Sequence, residues 1–150
     1  MTLYTVLVFI HIISAIVGLG PGFVMIYIVT NAANMNELRH AYAIRHRLHI
    51  FVMVGGTLLL ITGLLMGVIN PMLFQMGWYI TSLLLFLIAL SFGPALLAPS
   101  FRPIKDMLDN HIGNEIPQEY FLLARKLFFY ERIENAIFLI VIALMITKPF

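Results

Sequence analysis

Four apolar runs, each close to the length needed to cross a bilayer, occupy most of this 150-residue chain. They extend from Leu3 to Thr30, Leu48 to Ile69, Trp78 to Ala98 and Leu127 to Thr147, joined by Asn31–Arg47, Asn70–Gly77 and Pro99–Lys126. A helix needs about 20 apolar residues to traverse the hydrocarbon core. In lipid every peptide group must find its partner within the chain, which leaves helices or closed barrels, and runs of this length suit helices. The expectation is an all-α integral membrane four-helix bundle, one domain over residues 1–150. Composition agrees: 61% of residues are hydrophobic and 11% charged, against roughly half and a quarter in soluble domains. The chain has no cysteine, which excludes disulfides, thiolate metal sites and cysteine nucleophiles. The first run lacks a basic leader and a small-residue cleavage site, so it reads as an uncleaved span.

Basic residues set the expected orientation. Arg39, Arg45 and Arg47 fall in the first connection, and Arg102, Lys105, Arg125 and Lys126 in the third, seven of the nine lysines and arginines. Both termini should therefore face outward from a bacterial cytoplasmic membrane, with the long connections inside. Trp78, Tyr79 and Tyr4 suit an outer aromatic belt. Asn34 followed by Glu37 resembles a capping box, and Pro117 suits a first helical position. Spans two and four should therefore extend into the cytoplasm as helices. Pro94 and Pro99 suggest a kink or a fraying inner end in span three.

His11 is the most telling polar residue, because a polar side chain in hydrocarbon is costly and marks a candidate site. It lies roughly 12 Å below the outer boundary at the helical rise per residue. Gly18 and Gly22 share its face, as do Ser14, Ala15 and Met25. Such a stripe serves close helix packing, or a porphyrin lying flat with His11 as axial iron ligand. His49 sits at the inner boundary, either as an interfacial histidine or as a ligand or propionate partner. His11 and His49 differ in depth by about 15 Å, too far to share one iron in one protomer. His40, His46 and His111 read as surface residues.

Span four carries Glu131, Arg132, Glu134 and Asn135 in its inner part, with Glu134 roughly 20 Å below the outer surface. Two arrangements suit them. One is a polar clamp to Arg45, Arg47 or His49. The other places Arg132 with Arg45 or Arg47 on cofactor propionates, or a proton path at Glu134. No zinc-protease, phosphate-loop or serine-triad motif is visible.

Several segments together resemble the CopD-like superfamily of small four-span membrane proteins, which includes HemJ-type porphyrinogen oxidases. They are His11 followed by Gly20, the RHRLH start of span two, the WYITSLLLF opening of span three and the RIENAIFLIVIALMITKPF ending. The resemblance covers all four spans and implies haem b held by His11. Of the HemJ-type fourth-span pattern Arg-x-x-Asn-Glu, Arg132 and Asn135 match and Ala136 replaces the glutamate. The lysine expected soon after the third-span tryptophan is missing, with Thr81 and Ser82 near that point.

The expected function is therefore haem b binding in electron transfer, haem handling or redox sensing. The cofactor-contacting residues would be His11, Gly18, Gly22, Arg45, Arg47, His49, Arg132, Glu134 and Asn135, with His11 and His49 as candidate iron ligands. The alternatives are a HemJ-like porphyrinogen or quinol oxidase, a CopD-like copper transporter and a cofactor-free scaffold. A porphyrin, a quinol or a redox protein would be the partner. The glycine stripes also suggest a homodimer.

Overall fold

The computed structural model describes residues 2–150 and is all-helical, with no strand among the described residues. Helix α1 spans Leu3–Thr30 and α2 spans Met35–Ile69. A 3-10 turn at Pro71–Gln75 leads to α3, Gly77–Phe92. A π-helical turn at Gly93–Leu97 joins α3 to α4, Ala98–Asn110, and α5 covers Gln118–Thr147. The structure packs as two pairs, α1 on α2 and α3 on α5, with lighter contacts between the pairs.

Three helices are long and apolar enough to cross a membrane by length and composition: Leu3–Thr30, Met35–Ile69 and the continuous Gly77–Asn110 stretch. The fourth expected span is the apolar part of α5. It brings Glu131, Arg132 and Glu134 with it, three ionisable groups where hydrocarbon tolerates few.

Local signals explain most boundaries. Asn34 caps α2, its Oδ1 accepting from the Glu37 amide at 3.0 Å, and Glu37 Oε2 accepts from the Ala33 amide at 2.8 Å. Helix α2 therefore starts well before its apolar run, and α5 likewise starts before Leu127. Pro117 caps α5 from outside, one position before its expected place at the first helical residue.

Two expectations need correction. Span three does not end near Ala98: helix continues through α4 to Asn110, the expected extension of span four begins at Gln118, and only residues 111–117 link the two. Of the kink or fraying expected at Pro94 and Pro99, fraying is absent: a π-turn at Gly93–Leu97 carries the helix on as an irregularity in its ladder. Burial drives the continuation. Ser100, Ile104 and Leu108 form an i, i+4, i+8 stripe. Ile104 and Leu108 pack into a cluster with Val29, Met35, Leu38, Tyr42, Tyr120 and Leu127. The second correction is Tyr79, which is buried and donates to the Gly63 carbonyl at 2.8 Å. It ties α3 to α2 and does not belong to a lipid-facing belt.

The basic end is closed by polar ties. Arg39 donates from Nε to the Leu108 carbonyl at 2.8 Å and from Nη2 to the His111 carbonyl at 2.7 Å. This places a cation on the C-terminal carbonyls of α4, where the helix dipole favours it. Met35 donates its amide to the Asn114 carbonyl at 2.9 Å. Tyr42 and Tyr120 hydroxyls meet at 3.3 Å. Burial pushes the Tyr120 phenol above its ordinary range, so it stays neutral.

At the opposite end the C-terminus folds back on α3. The Phe150 carbonyl accepts from the Trp78 amide at 3.0 Å, and the Lys148 ammonium lies 5.4 Å from the Trp78 ring centroid.

Candidate functional site

A cavity of about 530 Å³ lies between α1, α2, α3 and α5 in the half of the structure nearest the termini. Its walls are almost wholly apolar, and His11, Tyr79 and Ser82 bring polar atoms to it. His11 is half-buried and reaches across to α2.

The histidine's hydrogen bonding follows from one proton. Thr62 Oγ1 lies 2.7 Å from the Leu58 carbonyl and donates there, as threonine does inside helices. A hydroxyl has a single proton, so assigning it to Leu58 makes the hydroxyl an acceptor toward His11 Nδ1, 2.8 Å away. His11 Nδ1 therefore carries the ring proton, and Nε2 keeps a bare lone pair. A ring nitrogen held this way suits a metal ligand, since ligating histidines donate their other N–H to a neighbouring acceptor. Gly63 lies beneath the ring: a Cβ there would meet His11 Cε1 at 3.5 Å, an ordinary contact distance.

Of the stripe on His11's face, Ala15 lines the cavity and the two glycines do not. Gly18 is buried against α2, where a Cβ would come within 2.8 Å of the Gly55 carbonyl carbon. Gly22 offers its carbonyl to Asn135 Nδ2 at 3.2 Å. The α1 wall of the cavity is instead Ile12, Ala15, Ile16, Leu19, Gly20 and Phe23. Gly18 and Gly22 are thus positions of helix contact, as is Asn135. The physical reason is that a Gly18/Gly55 crossing brings two backbones together and leaves no slot between them.

The remaining expected site residues gather at the basic end, away from the cavity. Arg45 forms an ion pair with Glu131, joining α2 to α5, and its guanidinium lies 5.8 Å from the Tyr42 ring centroid. Both charged side chains are largely buried, at 12% and 7% exposure. Arg47, His49 and Arg132 are exposed. Glu134 is half-buried one turn beyond Glu131. His49 precedes Thr62 by thirteen positions, roughly 20 Å along α2, so it does not meet His11. Among the described residues no three His, Cys, Asp or Glu side chains converge to hold a metal ion by themselves.

Sequence reasoning missed Thr62 and Gly55. Thr62 was discoverable by counting depth: it lies seven residues before Ile69, and His11 lies eight after Leu3, so antiparallel spans bring them level. Gly55 had only its neighbour Gly56 to distinguish it, and nothing in sequence says which of the two faces α1.

The chain belongs to the family described as "Predicted integral membrane protein (DUF2269)", which it matches over residues 5–149. No curated protein and no solved structure matches it.

Proposed function

We propose that this integral membrane protein binds haem b in the cavity beside His11, with Nε2 as the axial ligand. In this reading it serves electron transfer, haem handling or redox sensing in a bacterial cytoplasmic membrane, both termini outside. The observation that carries the proposal is the Thr62 hydroxyl, which accepts from His11 Nδ1 and leaves Nε2 bare at the edge of the cavity.

The donor set fits haem in part, and the part matters. A single imidazole, an apolar slot and a volume within the range of ligand pockets suit a porphyrin. The cationic partners expected for the propionates do not line this cavity: Arg45 is engaged by Glu131, while Arg47 and Arg132 are exposed elsewhere. In this reading the carboxylates lie at the cavity mouth, among water and headgroups. Bound haem supplies one-electron chemistry. The chain's own residues hold and orient the ring nitrogen, exclude water and set the slot's shape.

The CopD-like likeness enters here as support for haem over catalysis. The missing third-span lysine and Ala136 in place of the fourth-span glutamate remove acid–base groups that a HemJ-like oxidase would use. For a copper path, no three His, Cys, Asp or Glu side chains converge among the described residues. The homodimer expected from glycine stripes is not part of this proposal. Gly18, Gly22, Gly63 and Gly67 all face neighbours within one protomer.

The test is the colour of protein purified in detergent. A Soret band and a reduced α-band of b-type haem are expected, lost in His11→Ala. Protein that stays colourless through haemin titration overturns the proposal.

A further inference from the structure

Ile12, Ile16 and Gly20 of α1 and Ile146 of α5 line the His11 cavity and are also exposed. Ile16 and Ile146 are 64% and 75% exposed, so most of each side chain stands outside the bundle. Residues that belong to both surfaces mark where the cavity opens. Asn135 Nδ2 ties α5 to the Gly22 carbonyl at 3.2 Å, and the two helices otherwise touch only lightly. From that tie toward the termini they border a gap, and the rim residues named here carry no polar side chain.

Gly20 is a second observation at the same place. A Cβ there meets nothing within 4 Å, whereas Gly18 is required by the Gly55 backbone. Helix packing therefore does not explain Gly20, and glycine costs a helix stability relative to alanine. Its effect is to leave the flank of α1 bare beside the cavity. Side chains lean toward the N-terminus of their helix, so a larger residue at position 20 would lie over the turn that carries Ile16, across the gap.

The gap also has a direction. From Ile12 to Phe23, the ends of the α1 wall, it runs roughly 16 Å along the helix. Ile146 stands one residue before the end of α5 at Thr147, so one end of the gap reaches headgroup level and the rest faces hydrocarbon. An amphiphile of the adjoining leaflet has the same polarity along the same axis, with its charged groups at the headgroups and its apolar body below.

We propose that the cavity is loaded sideways from this leaflet: a flat amphiphile slides in between α1 and α5, past Gly20 and Ile16, and leaves its charged groups at headgroup level. This rests on the reading that the cavity binds haem, whose apolar ring and peripheral carboxylates match that division, and it adds the route of entry.

The route is tested without ligand by irradiating wild type in vesicles with a small lipid-soluble aryl diazirine and mapping the label by peptide mass spectrometry. Leu19, Leu59, Phe86 and Val141 are buried but line the cavity, while Phe138 is buried and does not. Label is expected on those four and not on Phe138. No label on the four, or equal label on Phe138, overturns the proposal. Gly20→Phe should lower the label on the four several-fold and leave it on Ile13 and Val24, which are exposed elsewhere on α1. Unchanged label on the four overturns the proposal, and Gly20→Leu takes its place if Gly20→Phe melts below wild type. Haemin supplied in the vesicle lipid should enter the variant several-fold more slowly than wild type by Soret absorbance, and equal rates overturn the proposal. If wild type takes up no haemin, the haem reading fails, and the labelling pattern alone upholds or overturns the route.

Discussion

Thr62 accepts a hydrogen bond from His11 Nδ1 at 2.8 Å because its own proton goes to the Leu58 carbonyl. One hydroxyl on α2 thereby selects the tautomer of a histidine on α1. Gly63, the next residue, packs beside the ring.

Replacing Thr62 with Val should keep the shape and remove the acceptor. Haemin affinity is expected to fall by about 10- to 100-fold, the usual effect of losing such an orienting partner, with Thr62→Ser close to wild type. Absorbance titration of the purified variants measures this. Equal affinity for Thr62→Val and wild type would remove Thr62 from the positioning of His11.

Breaking the Arg45–Glu131 pair should destabilise the fold more than removing it whole. Glu131→Leu leaves a largely buried guanidinium without its partner, and a loss of about 3–5 kcal/mol is expected. The double variant Arg45→Met with Glu131→Leu should recover most of it. Thermal unfolding in detergent distinguishes the two, and equal losses would mean that solvent or lipid headgroups already satisfy Arg45.

The α1/α2 crossing predicts an asymmetry between two glycines of one helix. Gly18→Ala puts a Cβ within 2.8 Å of the Gly55 backbone and should cost about 1–3 kcal/mol by overpacking. Gly20→Ala meets nothing within 4 Å and should be neutral or slightly stabilising, as alanine favours helix. Melting temperatures of the two variants in the same detergent test the crossing directly.

Orientation is open to a reporter experiment. Seven of nine basic residues lie in the two long connections, so a fusion after Phe150 should report from outside the cytoplasm. A C-terminal fusion that is active only in the cytoplasm would invert the arrangement and move the His11 cavity to the inner half of the bilayer.

Much of this architecture is dictated by the sequence alone. Long apolar runs force helices because lipid offers the backbone no other partner, and Asn34 with Glu37 marks where α2 begins because local capping needs only neighbours. His11 stands out for the same reason: its polarity is conspicuous against its own segment. What tertiary structure decided is which side of each helix meets which. Gly18 and Ala15 are three residues apart, yet the first packs on Gly55 and the second lines the cavity. Arg45 and Arg47 lie two apart, and one pairs with Glu131 while the other is exposed. An all-round apolar helix carries no moment to reveal its buried face, since lipid and protein interior accept the same side chains. The helix crossing therefore chooses, and with it the partner of His11 and the separation of the arginines from the cavity.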